Sequence, residues 1–235
     1  IEFVAKVHHF DGLVTVASCD NIIAGCYLGM ARLNIPTLCV TGGSMTAGSY
    51  KGQKMVQAQL DVAALSGESE DILSEMEECV CPSFGACPSM GTANTMQMTG
   101  EVINFVLPGT ATIPSIDNLK LRKCREAGRA IVKMTIEDRK PSDLITRETL
   151  LNAVAYAMAT AASTNIVLHL IAIANELGIK LTLDDFDDYA KRLPCIVGVI
   201  PSGPYTVVDF NYAGGPLTVM KMIESELYTN VPTMD

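Results

Sequence analysis

Cys19 and Asp20 set a thiol beside a carboxylate, directly after a short apolar run. Sulfur is a soft metal ligand and carboxylate oxygen a hard one, so the pair could serve iron, zinc or a harder divalent cation. It could equally be an ordinary packed thiol next to a surface acid, because Cys is among the residues most often buried. Cys79, Cys81 and Cys87 lie in a Pro- and Gly-rich stretch, with one and then five residues between them. That spacing matches no paired CxxC zinc pattern. Iron–sulfur centres accept irregular spacing, and a thiolate just ahead of a helix gains from free N–H groups and the helix dipole. Spacing alone leaves open that these are loop thiols without a ligand role. Gly42-Gly43-Ser44 could cradle an anion, but it is neither a GxGxxG fingerprint nor a P-loop. His8, His9 and His169 have apolar neighbours and read as packed or surface histidines. No Ser, Cys and His pattern points to a hydrolytic triad. Cys26, Cys39, Cys124 and Cys195 lie in apolar settings and read as core.

The elements that must position these groups follow from hydrophobic periodicity. Residues 2–9 look helical. Residues 12–17 form a β-branched run that stops at Ser18-Cys19-Asp20-Asn21, a buried strand feeding a polar loop. Residues 25–34 fit a helix, 35–40 a second buried strand, and 41–45 a Gly-rich loop. Strand, helix, strand in that order is a βαβ unit, which implies a parallel sheet and a right-handed crossover. Ligands gather at the carboxyl ends of such strands, and both polar loops fall there. Beyond them, 53–78 reads as an acidic solvated helix, 79–90 as loop, 92–106 and 119–136 as helices, and 194–200 as a short strand. Residues 149–175 carry no charge and are long enough to cross a bilayer. Ser163-Thr164-Asn165 interrupts them, though, and polar groups at bilayer depth are costly. The triplet is also a helix N-cap signal, so two buried helices meeting there are expected, and no membrane span. The expected fold is one α/β domain over 1–235, a three-layer α/β/α arrangement with a mainly parallel sheet.

Composition narrows the function classes. Lys and Arg number 17 against 26 Asp and Glu, a net charge of −9. An acidic balance argues against a nucleic-acid surface, which needs clustered cations. Aromatic content of 6% also argues against base-stacking platforms. A hydrophobic fraction of 49% excludes intrinsic disorder. The eight Cys are too few for so long and apolar a chain to be a disulfide scaffold. Reduced thiols in a cytoplasmic setting are the expectation. The opening Ile1-Glu2-Phe3-Val4 has no secretory signal character and no Met, which suggests a piece of something longer.

Taken in order, these segments resemble the dihydroxy-acid dehydratase and phosphogluconate dehydratase family, which includes the sugar-acid dehydratases. The resemblance begins with Cys19-Asp20-Asn21, Gly25, Ala31-Arg32-Leu33-Asn34-Ile35-Pro36 and Gly42-Gly43-Ser44-Met45. It continues through Cys81-Pro82-Ser83-Phe84-Gly85-Ala86-Cys87 into Met90-Gly91-Thr92-Ala93-Asn94-Thr95-Met96, then Leu107-Pro108-Gly109 and Ile113-Pro114. Thr146-Arg147-Glu148, Ser163-Thr164-Asn165, Leu181-Thr182-Leu183-Asp184-Asp185-Phe186, Pro201-Ser202-Gly203 and Ala213-Gly214-Gly215 complete it. Order and spacing agree along essentially the whole chain.

The resemblance implies an iron–sulfur, Mg-dependent hydro-lyase that converts a 2,3-dihydroxy acid or a sugar acid to a 2-keto acid. Cys19 and Cys87 match two of three cluster ligands, for a 2Fe-2S or 4Fe-4S centre. Asp20 matches a Mg ligand. Asn21 stands where the family has a carbamylated Lys that also binds Mg, so the site would lose a negative charge. The resemblance further implies that the first cluster Cys and an acidic Mg ligand precede Ile1. A β-rich C-terminal domain carrying another Mg carboxylate and the Ser base would follow Asp235. The chain would thus be most of an N-terminal domain. Ser163, Thr164 and Asn165 are expected to bind substrate from a helix N-terminus, with plain capping as the competing role. A homo-oligomer acting on a small hydroxy acid is the expected assembly. The competing reading, prompted by Asn21 and the missing pieces, is a non-catalytic dehydratase-like domain serving as scaffold or oligomer interface.

Overall fold

The structure, a computed structural model, describes residues 1–234. Helix α1 (Glu2–Val7) leads into strand β1 (Leu13–Ala17), and helix α2 (Asp20–Leu33) crosses over to strand β2 (Thr37–Thr41). The strands pair in parallel, Leu13 opposite Thr37 and Ala17 opposite Thr41. Helix α2 buries Ile23, Tyr27, Met30 and Ala31, one stripe at helical spacing, against the rest of the domain. It ends where Asn34 turns left-handed (φ 48°) and donates its N–H to Met30 O, a conformation Asn tolerates better than most residues. The βαβ unit expected from the pattern is therefore present.

Two expectations change downstream. The region read as one acidic helix opens instead with a hairpin, β3 (Gly48–Tyr50) against β4 (Gln53–Met55). Lys51 and Gly52 between them both have positive φ, 49° and 81°, the backbone of a two-residue hairpin turn whose twist matches its strands. Helices α3 (Gln57–Leu65) and α4 (Glu70–Glu77) follow, separated at Gly67 (φ 81°). Residues 194–200 do not form a strand. They make only an isolated bridge, Val199 to Tyr205, because no neighbouring strand lies alongside. That leaves Cys195 exposed rather than in the core.

Eight further helices complete the described chain: α5 (Thr92–Val102), α6 (Asn118–Ile136), α7 (Pro141–Leu144), α8 (Arg147–Ala159), α9 (Asn165–Glu176), α10 (Leu183–Arg192), α11 (Val207–Tyr212) and α12 (Gly215–Met222). Helix α5 is buried from Ala93 to Val102, and α8 is buried over most of its length. Together with α2 and α9 they hold the main core, where Tyr27, Met96, Met98, Leu150, Tyr156 and Leu170 pack. Burial on nearly all sides explains why α5 and α8 lack an amphipathic signature, whereas α2 and α9 each bury one stripe. The domain is α/β, with helices dominant and a parallel pair at one flank. Among the described residues no helix is long and apolar enough to cross a membrane.

Helix α6 packs on β2 and carries a buried cation. Lys120 Nζ donates to Thr110 O at 2.7 Å and to Thr41 Oγ1 at 3.4 Å. Burial pulls this ammonium from 10.5 down to about 8, against the opposing pull of Cys124 and Glu101. Between those values the unfolded chain holds a proton that the folded chain has released, so stability from this residue rises with pH across the window. The stability difference between wild type and Lys120→Met should therefore shift in favour of wild type by up to about 3 kcal/mol from pH 8 to 10.5. Urea unfolding of both proteins across that range tests it; a flat difference would contradict it. Cys39, whose thiol burial pushes up to about 11, acts in the opposite direction in both proteins.

Candidate functional site

Strand β1 delivers Cys19 and α2 receives it. Cys19 is extended (φ −104°) and is the N-cap residue of α2. Asp20 and Asn21 lie in the first turn of that helix rather than in a loop, because the helix begins earlier than the apolar pattern suggested. A carboxylate in a first turn complements the positive end of the dipole. Asp20 itself is held at φ 40°, a conformation costing about 1–3 kcal/mol for a non-glycine residue and found most often at functional sites. Cys19, Asp20 and Asn21 are all exposed.

Cys87 comes from the long loop before α5 and is positioned from both sides. On one side Ala86 is zipped to the loop after β2, its N–H donating to Gly43 O at 2.9 Å while Met45 N–H donates to Ala86 O at 2.8 Å. Gly85 makes that approach possible. At φ 124°, a Cβ there would sit 2.6 Å from Met45 N. On the other side Met90 N–H donates to Ile200 O at 2.7 Å and Val207 N–H to Pro88 O at 2.9 Å. The apolar run at 194–200 thus serves as a brace for the cysteine loop.

The two loops share one electrostatic neighbourhood. Burial pushes the Cys87 thiol up, and negative charge at Cys19, Cys81 and Asp20 pushes it the same way. The Cys19 and Cys87 segments, far apart in sequence, are joined through one pair of side chains: Gln97 donates to Ser18 O and to Asn94 Oδ1, and Asn94 donates to Cys87 O.

Helix α9 closes another side. Ser163 Oγ accepts the N–H of Asn165 at 3.4 Å, so Ser163 does the capping, while Thr164 makes no side-chain cap. The N-termini of α5 and α9 meet here. Asn165 Nδ2 donates to Thr92 Oγ1 at 2.9 Å, Thr92 and Ser163 hydroxyls lie 3.1 Å apart, and Ser163 N–H donates to Thr95 Oγ1 at 3.0 Å. Further along α9, His169 Nε2 lies 3.0 Å from Asn21 Oδ1. Burial lowers the His169 pKa while the charge of Asp20 raises it. The histidine read from sequence as merely packed or surface is thus tied to the Cys19-Asp20-Asn21 turn.

Sequence reasoning also passed over two buried amides on α5. Asn94 Nδ2 donates to Cys87 O at 2.5 Å and Ser89 O at 2.8 Å, and Gln97 Nε2 donates to Ser18 O at 3.2 Å. The available signal was the placement of carboxamides on a helix otherwise filled with Met and small residues. Buried amides are costly unless hydrogen-bonded. The Gly42-Gly43 loop offers no free anion cradle at its centre, since Gln97 Oε1 accepts the Gly43 N–H at 2.8 Å.

A family model described as "Dihydroxy-acid/6-phosphogluconate dehydratase N-terminal" matches residues 1–235. The chain belongs to this family. It is 42% identical over 231 residues to a dihydroxy-acid dehydratase of Pyrococcus abyssi, covering 97% of this chain and 42% of that protein. It is 40% identical over 233 residues to that of Methanoregula boonei, covering 97% of this chain and 42% of the relative. For Thermodesulfovibrio yellowstonii the identity is 39% over 239 residues, covering 100% and 43%. The chain thus spans less than half the length of the curated relatives it matches.

Among the described residues no three His, Cys, Asp or Glu side chains converge closely enough to hold a metal ion by themselves. The chemistry of the donors nevertheless suits a metal centre of the dehydratase kind. Burial first, and then negative charge at Cys19, Cys81 and Asp20, push the Cys87 thiol up, and a bound cation would reverse that penalty by favouring thiolate.

Proposed function

We propose that this chain is the cluster- and Mg-bearing part of a hydro-lyase that converts a 2,3-dihydroxy acid or sugar acid to a 2-keto acid. The observation that carries the proposal is the hydrogen-bonded link between the Cys19 and Cys87 segments, through Gln97 to Ser18 O and through Asn94 to Cys87 O, in a chain of the dehydratase family. Cys19 and Cys87 would hold an iron–sulfur cluster (two- or four-iron), and Asp20 with Asn21 would hold Mg²⁺. On this reading the third thiolate, further Mg carboxylates and the base Ser would be supplied from outside residues 1–235, and the parallel pair would be one portion of a three-layer α/β/α domain.

When bound, an iron with an open position and a Mg²⁺ supply Lewis acidity for the departing hydroxide and for the charge that develops on the substrate. The net reaction removes a proton from C2 and hydroxide from C3, and the resulting enol tautomerises to the keto acid. The hydroxyls of Thr92 and Ser163 and the carboxamide of Asn165 stand at two helix N-termini, where an acid carboxylate is favoured by dipole and N–H groups. His169 orients the Asn21 carboxamide. Such partners of a metal ligand fix its direction and influence affinity by about 10–100-fold.

The Asn21–His169 contact also favours a second reading, a non-catalytic relative, because the Asn21 carbonyl is already engaged and neutral. Asn21→Asp decides what the amide costs. A carboxylate at that position is expected to tighten Mg²⁺ binding about tenfold, read by calorimetry on the anaerobically purified protein. Equal affinity in the two proteins would remove Asn21 from the site. Dehydration of an aldonate or branched dihydroxy acid, assayed with the coding sequence in full, tests the proposal itself. Absence of turnover in iron-loaded protein would favour the scaffold reading. On this reading the protein's partner is a small hydroxy acid, with no nucleic acid or membrane involved, and self-association is expected.

A further inference from the structure

We infer that Asn94 and Gln97 are positioning residues that set the separation between the Cys19 and Cys87 sulfurs. The inference deepens the proposed metal-centre reading and rests on it for its purpose, but the geometry is independent of any metal. Gln97 is fully buried in α5. Its Oε1 accepts the Gly43 N–H at 2.8 Å, and its Nε2 donates to Ser18 O at 3.2 Å and to Asn94 Oδ1 at 3.3 Å. Asn94, one turn earlier on the same helix face, donates to Cys87 O at 2.5 Å and to Ser89 O at 2.8 Å. Two side chains in contact therefore bridge the residue before one thiol to the carbonyl of the other.

A backbone route between the thiols also exists, and the same pair braces it. Gly42 N–H donates to Ala17 O at 2.9 Å and Ala86 N–H to Gly43 O at 2.9 Å, linking both cysteine segments to the loop after β2. Gln97 holds that loop at the Gly43 N–H. Gly43 has little freedom otherwise: at φ 81°, a Cβ there would overlap Ile113 O. The amides sit beside Met96 and Met98 in a helix that packing alone would fill with apolar residues. A fully satisfied polar network in a low-dielectric core specifies one arrangement more sharply than apolar packing does. Shared ligation by two loops requires that sharpness, since ligands must be held within about 0.5 Å of the productive geometry.

The test uses the metal-free chain with Cys79, Cys81, Cys124 and Cys195 changed to Ser. Dibromobimane bridges two nearby thiols as each thiolate displaces one bromide, and the bridged product fluoresces. Cys19 and Cys87 are expected to bridge rapidly, with the link identified by peptide mass. Gln97→Met should slow bridging about tenfold while iodoacetamide labelling of each thiol changes less than about twofold, because separation and not exposure is altered. Asn94→Asp, nearly the same shape but without the two donors, should do the same if Gln97→Met does not fold. Bridging at the parental rate in either folded variant overturns the inference. So does a parent that does not bridge, or loss of folding in both variants, which would make the pair a general stability element. Iron reconstitution of the protein made from the coding sequence in full, with every cysteine intact, separates the two readings. Rapid bridging without iron uptake sinks the metal centre and leaves the positioning pair standing. Iron uptake with unchanged bridging in the variants does the reverse.

Discussion

Cys87→Ser is expected to abolish iron binding in anaerobically purified protein, with the brown colour and visible absorbance falling at least about tenfold. On the proposed function Cys87 is one of two thiols in this chain that hold the cluster, and Cys81 is the exposed thiol nearest to it in sequence. Cys79 precedes it in the same loop, and Cys26 and Cys39 are buried. A serine hydroxyl at that position fits the loop but deprotonates far less readily than a thiol and is a harder donor. The substitution should leave stability nearly intact, because the Cys87 side chain is exposed and the loop is held by its backbone, through Ala86 and through Asn94. Cys79→Ser is the control and should retain iron. The measurement is iron content per chain alongside the absorbance spectrum. Unchanged iron in Cys87→Ser would end the assignment of this loop to a cluster.

Glu101→Ala should cost about 4 kcal/mol of stability, the largest single-residue loss expected outside the site. The Glu101 carboxylate accepts three backbone N–H groups in succession, from Gly109 at 2.9 Å, Thr110 at 2.8 Å and Ala111 at 2.5 Å. Burial pushes this carboxyl up, while those three N–H donors and Lys120 pull it down. Truncation would leave three donors without partners in the interior, at about 1–3 kcal/mol apiece and less than additively. It would also strip Lys120 of its nearby anion. Glu101→Gln keeps the shape and an acceptor, so it should lose about half as much. Thermal or urea unfolding of the two variants measures this; a loss below about 1 kcal/mol for the alanine would contradict the account. The segment that Glu101 holds continues to Ser115, whose N–H donates to Ser44 O at 2.9 Å. Iron loading should therefore weaken along with stability, through the loop that carries Ala86 and Cys87.

The local pattern of the chain was enough to determine the βαβ start, the buried pair of helices at 149–175, the break at Ser163-Thr164-Asn165 and the family. Each rests on short-range periodicity or on ordered motifs, which need no tertiary partner to be legible. What periodicity could not resolve was decided by contacts between distant segments. Residues 194–200 have a strand's composition, yet they remain a loop because no strand pairs with them among the described residues and their backbone groups are taken by Ala159, by the 202–205 turn and, at Ile200 O, by Met90 of the cysteine loop. The hairpin at Gly48–Met55 is not legible in the sequence, its second strand reading as the start of the helix at 53–78, because its turn depends on two left-handed residues, one of them Lys51. Asn94 and Gln97 look like ordinary helix residues in one dimension. Only the packing of α5 between two loops makes them a link between Cys19 and Cys87, because a buried amide takes its meaning from the backbone groups that happen to surround it.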